Sequence, residues 1–439
     1  MNRLLLATTA LAAVAAVASP AFATAVTYQG TLGKLPIILE LAQTPEDSGT
    51  TTYGRYAYLN KGIDIPLHVT KAKDGNLTIR EEVACKTDAS NCPHADDDQP
   101  GSAPLGATWK LELSGDGRAL TGTWTNNGKS LPVEIVVAGD RDYEMADAST
   151  PLDLTTYAVS QLWDDEAEGA NGISEETDAY DFLKLQAGEK ADAPIKIGNY
   201  AYANVTDART MFQFPRITDL GGADMTAANA FLTTRDYAMR TDALNCSAMV
   251  YEGFGWRSFS TDYAGTLGGY DDESTEVTYL SPAIMSWTES GSLDCGGAHP
   301  YNHHEFHNLD IKTGKPLDLS LIFKGWGPDG ADLADARTHP ADFVWKADAA
   351  LTDFVKKHRV SDADLGLDVD NPDECAINDL IDTNLVISFK DDDHVLFALG
   401  GLENAIEACS TDLYEAPITD LKDLLAPTAA DYFPVLKSK

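Results

Sequence analysis

Residues 109–137 read WKLELSGDGRALTGTWTNNGKSLPVEIVV. Three short strand segments, 109–113, 120–124 and 131–137, are separated by Asp116-Gly117 and Asn127-Gly128. Such pairs are strong hairpin signals, because the tight turns between antiparallel strands need residues that tolerate positive φ. The pattern extends upstream. Residues 28–41 alternate and end in the apolar stretch 35–41, and segments 54–59 (GRYAYL), 63–69 and 77–81 follow at short spacing. Lys61-Gly62 and Asp74-Gly75 supply further turns. Hairpins in this succession predict a β-meander over residues 24–140, closed or nearly closed as a small barrel. Cys85, Cys92 and the polar run 94–101 form a long insertion between two of its strands.

Beyond residue 140 the pattern changes. Residues 141–178 form an acidic linker that ends in 164–178, DDEAEGANGISEETD. Residues 179–439 are mixed. Ala228, Phe231, Leu232, Ala238 and Met239 recur at helical spacing and predict a helix over 226–240. A second helix is expected over 341–357, with Phe343, Val344, Ala347, Leu351, Phe354 and Val355 on one face. Pro340 stands near its start and Lys356, Lys357 and His358 at its C-terminal end. Strands are expected at 277–280, 284–288, 305–311, 385–389 and 395–399. A final helix over 420–425 would be capped by Thr419 and stopped by Pro427. The fold class is therefore α+β, an antiparallel meander followed by a mixed module.

The first 23 residues read as a cleavable signal peptide. Arg3 is followed by an uncharged apolar run over 4–18, then Pro20 and the small residues Ala21 and Ala23, so the mature chain is expected to begin at Thr24. That run is shorter than the roughly 20 apolar residues of a membrane span. A periplasmic or secreted protein follows, in a compartment where disulfides persist. Six cysteines stand in the mature part, and their spacing favours Cys85–Cys92, Cys246–Cys295 and Cys375–Cys409. With no CxxC pair, disulfides account for them better than zinc does.

Sixty-nine acidic residues against 32 basic ones give a net charge of −37. Nucleic acid and anionic membrane surfaces are excluded as partners on this balance. The acidity would attract cationic proteins, but spread along the chain as it is, it equally serves solubility alone and names no partner.

Residues 295–323 read CGGAHPYNHHEFHNLDIKTGKPLDLSLIF, a Gly-Gly turn, a strand, a KTGK hairpin turn and a second short strand. GGAHP, then D-x-K-T-G-K and L-x-L-x-x-x-F, resemble the domain of unknown function 3298, the extracellular part of lysozyme-sensing anti-sigma factors, which also accompanies peptidoglycan deacetylase domains. The resemblance extends upstream to Phe214-Pro215-Arg216 and downstream to 417–425. It implies a binding module that grips a cationic muramidase or a wall component. The turn holding His299, Pro300 and Tyr301 is where side chains would meet that partner. Pro300 restricts its backbone, and Tyr301 has the chemistry of an interface anchor, unless it packs against the strand that follows. It does not imply sigma control, for which a sigma-binding segment and a membrane helix would be needed. Nor does it imply deacetylation, which needs a separate catalytic domain.

His303, Glu305 and His307 follow one another at every second residue, so on a strand they share a face and could hold an ion. An unliganded polar face has the same pattern. This trio is the basis of an alternative function, metal-assisted hydrolysis of wall glycans. Asp368, Asp370, Asn371 and Asp373 resemble a calcium loop but lack glycine at its sixth position. There is no G-x-S-x-G elbow, and Ser290 and Ser292 have no base assigned to them. Gly268-Gly269 and Gly296-Gly297 are turns rather than phosphate loops. Phe254, Trp256, Phe259 and Tyr263 suit a core better than a sugar platform. No catalytic residue and no organic cofactor are implied.

Overall fold

The computed structural model describes residues 22–43, 52–71, 76–86, 91–92, 103–144, 151–152, 154–155, 173–255, 269–270, 273–294, 301–338, 340–365, 375–391 and 393–437. The expected calcium loop, Trp256, Phe259, Tyr263, Cys295, His299 and Pro300 lie outside these residues.

The meander is a closed eight-stranded antiparallel barrel. Its strands are β1 (Phe22–Leu32), β2 (Leu35–Gln43), β3 (Thr52–Tyr58), β4 (Asp64–Lys71), β5 (Asn76–Glu82), β6 (Leu105–Leu113), β7 (Ala119–Asn126) and β8 (Lys129–Glu144). Each pairs with the next, and β8 closes onto β1 from Phe22 opposite Glu144 to Leu32 opposite Val133. Asn127 and Gly128 both take positive φ, 48° and 77°, as the tight hairpin between β7 and β8 demands. Alternate residues fill the interior: Ile37, Leu39 and Leu41 of β2 point inward, as do Trp109 and Leu111 of β6. Gly122 lets β7 approach β6, since a Cβ there would meet the Lys110 carbonyl oxygen at 2.0 Å.

Helix α1 (Ala179–Gln186) lies against the outside of this barrel. The contact is ionic and buried. Arg55 reaches Glu40 at 2.7 Å, Asp181 at 2.7 Å and Asp64 at 3.1 Å. Arg141 reaches Glu40 at 2.7 Å and Asp178 at 3.2 Å, and Lys184 lies 3.0 Å from Asp64. Tyr180 donates its hydroxyl to Asp64 at 2.7 Å.

The remainder is built on two main sheets. The first holds β9 (Glu189–Ala191), β10 (Ile195–Ile197), β11 (Tyr200–Asp207) and β12 (Phe212–Asp219). Helix α2 (Thr226–Ala248) packs on β12. The second holds β13 (Gly269–Tyr270), β14 (Ser274–Leu280), β15 (Ile284–Asp294), β16 (Tyr301–Asp310) and β17 (Lys315–Pro316). A two-stranded ribbon, β18 (Trp326–Pro328) with β19 (Trp345–Ala347), precedes helices α3 (Ala349–His358) and α4 (Ile377–Asn384). A three-stranded sheet, β20 (Leu385–Lys390), β21 (His394–Leu399) and β22 (Thr411–Pro417), completes the module. The β13–β17 sheet is buried on both faces. Met285 and Trp287 face the core shared with α2, whereas Ile284 faces the core built on Phe389, Phe397 and Phe433.

Two expected helices differ from what forms. Of the expected 341–357 helix, a 3₁₀ turn forms at Pro340–Asp342 and an α-helix only from Ala349: Asp348 caps it by accepting from the Leu351 amide at 2.9 Å, and residues 345–347 pair instead with β18. Val344, counted on the apolar face, is 71 % exposed. At the C-terminus a 3₁₀ turn spans Ile418–Leu421 without a side-chain cap, because the chain beyond it bridges Phe323 through Leu425 and hydrogen-bonds back to residues 322 and 324. Cys85–Cys92 and Cys375–Cys409 are bonded, and Cys246 is also in a disulfide. Among the described residues no helix is long and apolar enough to cross a membrane.

Candidate functional site

Strands β15 and β16 run antiparallel with Trp287 opposite His307, Glu289 opposite Glu305, Ser290 opposite His304 and Gly291 opposite His303. Side-chain alternation sends His303, Glu305 and His307 to the α2 face, as their spacing requires. They do not form one cluster. His303 Nε2 lies 3.0 Å from a carboxylate oxygen of Glu273, which sits just before β14. Glu305 and His307 gather instead with Glu289, all three within 4.8 Å of one another.

A cation already serves that second group. Arg235 of α2 donates from Nε and Nη2 to the two oxygens of Glu289 at 2.6 and 2.7 Å. Its Nη2 also lies 3.2 Å from Glu305 and 3.1 Å from His307 Nε2. Trp287 stacks on the His307 ring at 5.1 Å and donates its indole N–H to Glu289 at 2.6 Å. Burial alone would raise the Glu289 carboxyl, but Arg235 and His307 outweigh it and bring the group down to about 2. An ion bound here would have to displace a guanidinium held by two charge-assisted hydrogen bonds. The arrangement is that of a structural ion pair.

The opposite face differs. The 3₁₀ turn Asn404–Cys409 runs along the outer edge of β16, fixed by the Cys375–Cys409 disulfide and by the Gly401 amide donating to the His304 carbonyl at 3.3 Å. Between them lies a cavity of about 540 Å³, lined among others by Asn302, His303, His304, Glu407 and Ser410. His304 Nδ1 meets the Ser290 hydroxyl in a short hydrogen bond, and its ring rests edge-on against Phe306. Burial lowers its pKa, which favours the neutral imidazole. Burial would also lower His303, yet the Glu273 hydrogen bond and charge prevail and raise it. One Glu407 oxygen accepts from Ser410 at 2.9 Å. Its other oxygen, Oε2, has no donor in good geometry among the described residues; burial raises this carboxyl against the opposing pull of Ser410, the His303 ring and the His304 backbone amide.

The cavity therefore offers the imidazole of His304 and the carboxylate of Glu407, while the His303 ring turns to Glu273 on the other face and reaches the cavity only through its own strand position. Ser290 and His304 make the contact of a nucleophile and a base, but among the described residues no carboxylate hydrogen-bonds His304 to complete a triad. Of the turn expected to meet a partner, the backbone of Tyr301 opens β16 and the next residue, Asn302, lines the cavity. Sequence reasoning missed Glu273, Glu289, Arg235, His304 as a cavity residue, and Glu407. Each is brought to β16 from a distant segment, and nothing in its local pattern marks it.

No family model matches the chain, and no curated protein matches it. Among solved structures, a protein described as AttH from Nitrosomonas europaea aligns over 67% of this chain and 90% of its own. At 10% identity and a TM-score of 0.15 the likeness carries no argument about fold or function.

Proposed function

We propose that the chain is an exported binding protein of the cell envelope, and that the cavity between β16 and the 404–409 turn receives a cationic group of its partner. The observation that carries this reading is the Glu407 carboxylate, whose second oxygen lacks a donor while the nearby His303 is held by Glu273. A buried acceptor left open costs free energy that a bound ammonium or guanidinium would return. The net charge of −37 favours encounter with such a partner. Disulfide bonding supports an oxidising compartment outside the cytoplasm. The resemblance of residues 295–323 to the lysozyme-sensing module makes a lysozyme-like muramidase the first partner to test, and a cationic wall component the second.

Calorimetric titration of lysozyme into the mature chain tests the reading. Binding should be tight at low salt and should weaken as salt shortens the screening length. Tyr301→Ala should cost roughly 1–3 kcal/mol, as for a typical interface anchor. Absence of heat at low salt would remove the muramidase, and affinity indifferent to Glu407→Gln would remove the cavity. The alternative, a metal-assisted hydrolase, would have to work through Glu289, Glu305 and His307, whose ligand atoms lie close together, and without His303, which is paired with Glu273. Elemental analysis of the purified chain separates the two, since the hydrolase requires one bound metal per chain and the binding protein requires none.

A further inference from the structure

A second carboxylate without a cation lies inside the barrel. Glu81 belongs to β5, near the barrel end that carries the turns at 33–34, 59–63 and 127–128. Three donors from three strands converge on its Oε2: the Tyr56 hydroxyl at 2.9 Å, the Trp109 indole at 3.1 Å and the Trp124 indole at 2.9 Å. Among the described residues no basic side chain pairs with it, and Oε1 receives no hydrogen bond.

The surroundings are aromatic. Tyr56 meets Trp109 edge-on at 5.0 Å and Tyr58 at 5.6 Å. Tyr251 stands close by, on the segment that leaves α2: burial, then the charges of Glu81 and Glu82, push its hydroxyl up to about 12. That segment is tied to the barrel by the Cys85 amide donating to the Val250 carbonyl at 2.8 Å and the Gly253 amide donating to Glu82 at 2.8 Å. Tyr56 and Trp109 are buried, whereas Glu81, Tyr58, Trp124 and Tyr251 keep part of their surface open. The charge can therefore be reached from the barrel end.

We propose that this end of the barrel binds an organic ammonium ion, with the Glu81 carboxylate as counter-charge and the rings of Trp124, Tyr58 and Tyr251 as walls. A carbon-substituted ammonium is attracted by a carboxylate and by aromatic faces at once. A metal ion is not, because one carboxylate among rings supplies too few oxygen or nitrogen ligands. The three donors on Oε2 fix the carboxylate and leave Oε1 for the ligand.

Choline, its uncharged carbon isostere and tetramethylammonium are the probes, followed by tryptophan fluorescence of the full mature chain. Choline and tetramethylammonium should give saturable changes, and the isostere should bind on the order of tenfold more weakly. Glu81→Gln keeps an acceptor for the three donors but removes the charge, and should abolish choline binding. Trp124→Phe, which removes one donor and reduces the ring, should weaken it severalfold, and serves as the test if the glutamine variant fails to fold. Loss of the fluorescence response in Glu81→Gln, with Glu407 intact, would assign it to this site rather than to the cavity at β16. Equal affinity for choline and its isostere, or no saturable response to either ammonium, would overturn the assignment.

Discussion

The seam between barrel and α1 buries its carboxylates, the edge of β16 half-buries one, and the two regions treat them differently. At the seam Glu40, Asp64, Asp178 and Asp181 share Arg55, Arg141 and Lys184, so that every acid has at least one cation within 3.2 Å. Burial would raise Asp181, but Arg55 and Lys184 hold it far below the ordinary carboxylate range. At the β16 edge Glu407 keeps an oxygen without a donor, and burial raises it. A network that satisfies itself has no use for a ligand. A carboxylate that folding leaves incomplete stores a cost that binding can relieve. Arg235 with Glu289 belongs to the first kind, although its histidine and acids resemble a metal site more closely than anything around Glu407 does.

The largest expected effect tests the seam. Arg55→Ala would leave Glu40, Asp64 and Asp181 buried without their common cation. Removing one partner of a buried pair costs about 3–5 kcal/mol, and urea denaturation should show a loss of that size. A loss under about 1 kcal/mol would mean that Arg141 and Lys184 carry the network alone, and the contrast with Glu407 would weaken.

Acid should act next. Glu289 falls from an ordinary value of 4.5 to about 2 in the folded chain. Folding therefore favours its charged form. The stability it contributes is complete above the ordinary value and is lost as pH drops through the window down to about 2. Glu289→Gln should shrink this acid limb in a series of denaturation midpoints, leaving the shares of Asp181, Glu40, Asp207 and the other carboxyls held low. An unchanged limb would show that Arg235 does not stabilise the charged form of Glu289.

Much of the barrel is legible in the sequence, because its order depends on neighbours. Asp116-Gly117 and Asn127-Gly128 form the turns they announce, and the strands between them pair in sequence order. The same logic undercounts α2, which runs to Ala248 rather than Arg240. Arg235, Asp236 and Arg240 interrupt its apolar spacing, yet all are buried, with Asp236 bridging to Arg216 at 2.5 Å and Arg240 at 2.7 Å. Periodicity cannot distinguish a charged residue paired across a core from one facing water. The candidate site suffers more. The strand spacing of His303, Glu305 and His307 is visible, but Arg235, which closes that group, stands 70 residues from Glu305. Glu407 lies on a turn whose position depends on the fold of β16, β20 and β21.

The smallest expected effect is at Glu407, and it tests the comparison most directly. A carboxyl whose folded value lies above its unfolded one contributes stability at low pH and loses it as pH rises through the raised value. At neutral pH the charged Glu407 is therefore tolerated, not favoured. Glu407→Gln keeps an oxygen to accept from Ser410 and removes the charge, so its thermal midpoint near pH 7 should equal or slightly exceed that of the parent. The small decline in parent stability through the weakly acidic range should flatten in the variant. Lysozyme affinity should fall in the same protein. Stability retained while binding is lost is what a residue placed for a partner would show, since a member of a self-satisfied network such as Arg55 cannot be removed without cost. If Glu407→Gln instead destabilises the chain and leaves binding as it was, Glu407 is as structural as Arg55, and the cavity at β16 loses its claim to be the site.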